Sequence, residues 1–600
     1  MCKQKDQYSE EEINEIVEIL STKASNPDEF FSATLEIISN YNDLEEIGGK
    51  ALVILNNDKG IDIICLFYKI NSIDFKHDFW TLKNAFAKAL PFLKVEPLAL
   101  IKLLKHLQQE SGHDLSANWI LDDLFIYCEK NKEQAFQLAE IIKNNPSEYN
   151  TFITVVYRGI AIYDFYMAYN DLIDIVESNA DNKLVKAAIF ALSKLDYNNR
   201  KKELIKTIDI YDIQDRNDIE KQCTIINSLS NFFQYDEKYV GSIIVKLSAI
   251  NDCRIGLTII DVLFRHGKSI NKNWFSETLL NCINITAEKL GENNYLDYVL
   301  DNCVKNKPEL FINFINGWLQ NQPLGNCIKL FPCVKSSLIG KSDQKLLQNL
   351  ITQWLVSGER SFCEAAEYYV SEVSLHEKYN NICLSFDIDY VTKLSEEEVG
   401  FLIRKTLGYC SLHMEHLCSL IFSLSSITDK EKELESVLTG IFVEIIAHDN
   451  PGIVLEFFKN KEIHANKTQK RLIKKIRKQI NVYYDKLRNL PKLKECLPPF
   501  KQTLIYYNAF NSLMEKSIKD ERNKSVFMNL VTRVSIKYGA KFFSKLNADM
   551  EQISNQKFSP VGELKTMETT IPIHRKHILD PIGYNYMRYI WRTKQKVETK

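Results

Sequence analysis

Glycine and proline are scarce, 20 and 14 in 600 residues, roughly 3% and 2% against typical values of about 7% and 5%. Glycine supplies positive φ and proline a fixed φ for tight turns, so a chain this poor in both has few hairpins. A β-rich or doubly wound fold is disfavoured, and long helices with short polar connections remain. Paired cysteines are lacking too. The 14 cysteines include no CxxC, and most sit among apolar neighbours, as in Ile63-Ile64-Cys65-Leu66-Phe67. Thiols used as small hydrophobes fit a reducing, cytoplasmic setting rather than a disulfide framework. The polar N-terminus, MCKQKDQYSEEE, has no apolar core of a secretory signal. The nearest approach to a membrane span, 149–170, is interrupted by Arg158 and Asp164, which suits a helix buried in protein better than one in a bilayer.

Familiar catalytic signatures are missing as well. There is no GxGxxG, no GxSxG and no zinc-ribbon spacing. Two GKS triplets occur, at Gly267 and Gly340, but a phosphate loop needs a glycine five positions earlier, where Val262 and Lys335 stand. Cys410, His413, His416 and Cys418 spread over about 200° of a straight helix and do not converge on one ion. His574, His577 and Asp580 form a compact but weak ligand set, and Asp387 with Asp389 suits a helix start in SFDIDY as well as a hydrated cation. The expectation is therefore a protein without a resident metal, cofactor or catalytic motif. A catalytic group assembled from distant residues is recognised by geometry alone, so a helical enzyme built around Asp387 and Asp389 or His574 to Asp580 stands as one alternative.

What is present reads as helix from end to end. The hydrophobic fraction of 45% and charged fraction of 26% are ordinary for a globular protein, but 600 residues exceed one compact core unless it extends in one dimension. Ser9 with Glu12, and Ser395 with Glu398, have capping-box spacing. Pro27, Pro146, Pro308 and Pro451 each precede an apolar, aromatic-bearing run and suit the first helical position, where the missing N–H costs nothing. Val185, Ala188, Ile189, Leu192 and Leu195 form one helical stripe. Steps of 34 residues give Ile219, Gln222, Cys223, Ile226 and Leu229, then Cys253, Gly256, Leu257, Ile260 and Leu263, with Gln222 the sole polar exception. A further step breaks at Asn294 and Asp297. Repeats of this length bury their faces by stacking on neighbours.

The run DNKLVKAAIFALSKL, Asp181 to Leu195, resembles the second helix of a HEAT or armadillo-type repeat, with Asp181, Val185, Lys186, Ala188 and Leu192 at the usual places. That resemblance implies an all-α solenoid of stacked hairpins and a scaffold or binding-surface role, and nothing finer. The expected organisation is N-terminal hairpins over 1–165, repeats over 166–460, a basic helical region over 461–554 and an extended arm over 555–600.

Charge is divided sharply. Residues 461–600 hold 30 Lys and Arg against 12 Asp and Glu, net +18, leaving 46 basic and 66 acidic residues in 1–460, net −20. The run 467–488 carries nine cations and one acid, while Leu472, Ile473, Ile476, Ile480, Tyr483, Tyr484 and Leu487 share one helical face. Lys470, Arg471, Lys474, Lys475, Arg477 and Lys478 are the candidate contacts of this run. They suit nucleic-acid phosphates, an anionic membrane surface or an acidic partner; equally, they suit a helix packed on the acidic body. In the closing run, Tyr584, Tyr586, Tyr589 and Trp591 could stack bases, with Arg588 and Arg592 on phosphates, or could cover an open end of the helical stack. The expected function is a non-enzymatic scaffold or adaptor with a protein partner, its basic region on a polyanion. A nucleic-acid-binding protein acting through 461–600 is the other alternative.

Overall fold

The computed structural model describes residues 10–39, 44–71, 77–112, 120–178, 181–290, 295–340, 344–375, 383–427, 432–491, 500–524 and 580–595. The fold is all-α: helices follow one another throughout, and no strand occurs among the described residues. The chain forms two compact units, Met1–Asn302 and Cys303–Lys600. Among the described residues no helix is long and apolar enough to cross a membrane.

In the first unit, helix starts follow the capping residues. Pro27, Pro97 and Pro146 each occupy the first position of a helix. Asp164 ends α1 (Ile153–Tyr163) and accepts from Met167 N–H to cap Phe165–Glu177, so the apolar stretch at 149–170 is two helices with a polar corner. Each helix of the repeat also starts on an aspartate cap, the caps recurring at steps of 37 and 34 residues. Asp181, Asp218 and Asp252 cap α2 (Asn182–Leu192), α3 (Ile219–Ser230) and α4 (Cys253–Arg265), each accepting first-turn backbone N–H groups. α1, α2, α3 and α4 pack side by side. Ala188, Ile189, Leu192, Ile226, Leu229, Ile260 and Leu263 lie in the core, where a fully buried Leu or Ile contributes about 1.5–3 kcal/mol relative to exposure. Gln222 is fully buried: its Nε2 donates to the carbonyl of Asp215 at 2.8 Å, fastening the preceding loop, while its Oε1 is left without a hydrogen-bond partner.

Polar contacts join each turn of the stack to the next. Lys186 Nζ reaches Glu220 Oε2, 34 residues on, at 2.6 Å; Lys194 Nζ reaches Asn231 Oδ1 at 2.9 Å; Arg265 reaches back to Ser230 Oγ and Asn227 Oδ1 at 2.9 and 2.7 Å. The sequence repeat fades near Ala287, where a helix of four residues, Ala287–Leu290, takes the place of a long one. The spacing of contacts nonetheless recurs in the second unit. Trp354 Nε1 donates to Asn316 Oδ1 38 residues earlier, and Lys335 Nζ to Glu372 Oε2 37 residues later, both at 2.7 Å. Contacts persisting at this separation are compatible with a helical repeat whose core identities have diverged.

The second unit contains α5 (Arg360–Leu375) and α6 (Glu396–Cys410). The capping box at α6 forms as its spacing predicts, Glu398 N–H to Ser395 Oγ at 3.3 Å and Ser395 N–H to Glu398 Oε2 at 3.0 Å; Ser9 lies outside the described residues. α7 (Lys467–Arg488) is the basic helix, and α8 (Phe500–Lys524) follows it with none of residues 500–519 buried. The expected extended arm is corrected in part. Pro581–Thr593 is a helix, α9, with Pro581 at its first position and Asp580 Oδ1 accepting from Gly583 N–H at 2.9 Å. Pro581 therefore starts a helix instead of breaking one, as Pro27 and Pro146 do. Residues 525–579 lie outside the described residues.

Candidate functional site

The basic helix α7 begins with its own capping box, Asn466 Oδ1 taking Gln469 N–H at 2.8 Å and Gln469 Oε1 taking Asn466 N–H at 3.1 Å. Leu472, Ile473, Ile476 and Ile480 are buried, whereas Tyr483 and Leu487 are 40% and 39% exposed, so only the first two-thirds of the apolar stripe is covered. Tyr484 donates to the carbonyls of Ala447 and His448 at 2.9 and 3.2 Å, just beyond the π-helix Ile441–Ile446. A π turn shifts carbonyls out of the ordinary helical ladder, and the tyrosine hydroxyl satisfies two of those that follow.

The cations of α7 divide into two sets. Arg471 and Lys475 converge on Glu435 at 2.7 and 3.2 Å, and Arg477 pairs with Glu462 at 2.6 Å. The Arg471 hydrogen bond, with lesser help from Lys475, holds the Glu435 carboxyl below its ordinary range against the opposing effect of burial. Lys470, Lys474 and Lys478 are exposed and follow one another by four residues, about 6 Å of helix rise each. Half of the six candidate cations are thus paired with carboxylates, two of them on Glu435 of the acidic body, and half face solvent.

α9 lies against α6. Tyr584 is buried, its hydroxyl donating to Ser411 Oγ at 3.2 Å. One turn apart on the same face, Arg588 approaches Glu367 on α5 at 3.8 Å, and Arg592 bonds both Glu367 oxygens at 3.1 and 3.2 Å. Arg592 Nε also donates to the Gly408 carbonyl at 2.7 Å, its guanidinium lies 4.4 Å from the Tyr409 ring, and Lys405 Nζ donates to the Arg592 carbonyl. Burial raises the Glu367 carboxyl above its ordinary range in spite of the two arginines, so desolvation outweighs their attraction and the cluster positions α9 more than it stabilises it. Arg588 and Arg592 are accordingly engaged within the protein, while Tyr586 is 63% exposed and Trp591 half-buried. Gly408 permits the approach: a β-carbon there would meet the Arg592 backbone N at 3.1 Å and the Trp591 β-carbon at 3.2 Å. A Gly408→Leu variant is expected to release α9, seen as loss of hydrogen-exchange protection over 581–593 with α5 still protected. Unchanged protection there would show that α9 is held elsewhere.

Several of the remaining sequence candidates fall on described residues with packing or capping contacts. Asp387 caps a short helix and also accepts from Asn349 Nδ2 at 2.8 Å. Cys410, His416 and Cys418 are buried core members, and burial raises both thiols. Ser269 of the first GKS triplet donates to Glu237 at 2.6 Å. Lys341 and Ser342 of the second, like His574 and His577, lie outside the described residues. Among the described residues no group of three or more His, Cys, Asp or Glu side chains could hold a metal ion.

One surface escaped the sequence reading. On the first unit, two depressions of about 400 and 480 Å³ meet at Phe190, the first between α1 and α2, the second spanning α2, α3 and α4. Phe190 is 36% exposed, with Lys194 Nζ 5.2 Å from its ring. Arg158 on α1, Lys183 on α2 and Lys194 just after it have no carboxylate partner among the described residues, while Lys186 and Arg265 are matched by Glu220 and Asp261. Burial first, then the nearby Arg158 and Arg265, pull Lys194 below its ordinary range. The missed signal was the repeat itself: Lys194 follows Arg158 by 36 residues, close to the period that aligns the cores. No protein-family model matches the chain, and none of the curated proteins matches it.

Proposed function

We propose that the protein is a non-enzymatic α-helical scaffold of the HEAT or armadillo kind that holds another macromolecule on the solvent face of its stacked helices. The observation that carries this reading is the Phe190 face, where side chains on or next to α1 to α4, among them Phe190, Asn227, Lys183 and Lys194, line two adjoining depressions. Stacked repeats create extended surfaces of this type. The test places a photo-crosslinking amino acid at Phe190 or at the exposed control position Lys201 of the full chain in its native cell. A defined macromolecular adduct from position 190, absent from 201, supports the scaffold; equal adducts from both, or turnover of a nucleotide or nucleic acid abolished by one substitution, overturns it.

A second reading, nucleic-acid binding through α7, draws on the line of Lys470, Lys474 and Lys478. Because α7 buries four aliphatic side chains, substitution tests it more cleanly than deletion. If it holds, mobility shifts of single-stranded RNA or DNA weaken as salt rises, with a log–log slope of about −0.7 per phosphate neutralised. Changing the three lysines to glutamate then makes that slope shallower by about 2. Identical shifts from the two proteins would exclude α7 as the contact.

A further inference from the structure

We propose that the Phe190 face binds an extended, acidic segment of a partner protein, with a carboxylate at about every third residue. This rests on the scaffold reading and adds the chemistry of the ligand.

Charge gives the first argument. Residues 1–460 carry a net charge of −20, so three cations without carboxylate partners among the described residues do not belong to a generally basic surface. Lys183 and Lys194 line the two depressions, and Arg158 on the adjacent α1, half-buried with its guanidinium 4.5 Å from the Phe125 ring, stands near Lys194; the matched pairs Lys186–Glu220 and Arg265–Asp261 lie beside them. Counting those five cations and two acids, the face carries +3. Lys194 is near enough to Arg158 and Arg265 to be repelled by both. An anion brought onto the face relieves that repulsion, whereas a neutral or basic segment does not.

Spacing gives the second. Packed helices lie about 8–10 Å apart, and a peptide in the polyproline-II conformation rises about 3.1 Å per residue with about three residues per turn, so three residues span one helix of the stack and bring a side chain back to the same face. A carboxylate every third position then returns to each helix in turn. The intervening residues meet Phe190, which lines both depressions, and Asn227, which lines the second and whose side-chain oxygen accepts from Arg265. At the far end Phe264 stacks on Tyr295 at 4.8 Å and lies 5.6 Å from Tyr298, three partly exposed rings that offer further apolar contact.

The same geometry disfavours a nucleic acid. Glu220 and Asp261 lie among the cations, where a continuous row of phosphates would be repelled by them. A peptide can pass them with uncharged residues.

The experiment measures fluorescence anisotropy of three probes with the full chain at low and high salt. The probes are a 15-residue peptide of five Glu-Ser-Val repeats, its Gln-Ser-Val counterpart, and a 15-nucleotide oligo-dT. The acidic peptide is expected to bind at least about tenfold more tightly than the glutamine peptide, a difference of about 1.4 kcal/mol, and to weaken with salt. Arg158→Glu and Lys194→Glu are each expected to lose about tenfold or more, with Lys194→Met intermediate as a check against misfolding and circular dichroism unchanged throughout. The lysine-to-glutamate changes at 470, 474 and 478 should leave this binding intact. Equal binding of the two peptides, insensitivity to Arg158→Glu and Lys194→Glu, or tighter binding of oligo-dT through those two residues would each overturn the proposal. If a Phe190 crosslinked partner persists while the acidic peptide shows no preference, the scaffold reading stands and the acidic-ligand assignment falls.

Discussion

Ile476→Ala is expected to lower the local stability of the Cys303–Lys600 unit by about 3 kcal/mol. Ile476 is fully buried on α7, between Ile473 and Ile480 on the same covered face, and removing a buried isoleucine to its β-carbon costs about 2–5 kcal/mol through lost burial and the cavity left behind. The neighbouring Lys474 is exposed without a partner among the described residues, and Lys474→Ala should change stability by no more than about 0.5 kcal/mol. Hydrogen exchange along 467–488 of the full chain is the appropriate readout, since a chain with two compact units has no single unfolding free energy. Matching protection in the two variants would mean that α7 is a surface appendage and not part of the core.

Acid is expected to weaken the same unit through His416. This imidazole is buried on the helix Met414–Ser423, and burial pushes its pKa down to about 4, opposed only in part by its hydrogen bond with the Val373 backbone. The unfolded chain takes up the proton near the ordinary value of about 6.5. The unfolded state therefore binds more protons as pH falls between those values. Stability is fully present above about pH 6.5 and is lost progressively toward pH 4, by about 3 kcal/mol for the whole window at about 1.36 kcal/mol per pH unit. His416→Gln should flatten that part of the pH–stability curve relative to the unsubstituted protein. An NMR titration placing His416 near 6.5, or identical curves for the two proteins, would contradict the assignment.

How much was legible differs from element to element. Asp181, Ser395 and Pro146 announced helix starts because a cap acts within three or four residues of itself. The 34-residue step was visible in α2 to α4 because their stripes still hold apolar residues in register. It was lost beyond Ala287, where a shortened helix interrupts the spacing and later cross-contacts use unrelated residues such as Trp354 and Asn316. α9 was missed by reading the whole of 555–600 as one extended arm, although the Asp580-Pro581 pair within it is the same start signal seen elsewhere. In α7 the apolar stripe was recognised, but its covered length depends on where the π-helix and its flanking elements end.

Local chemistry by itself determined the helical class, the capped starts, the amphipathic face of α7 and the charge division between 1–460 and 461–600. All of these arise from interactions within a turn or two of helix, or from composition. Tertiary structure decided which charges are used. Glu435 takes Arg471 and Lys475 from 36 and 40 residues away, Glu367 takes Arg592 from 225 residues away, and Arg158, Lys183 and Lys194 receive no carboxylate among the described residues. A side chain's own neighbours in the chain state its charge; only the packing of distant helices fixes whether an opposite charge lies within reach, and so which cations remain for a partner.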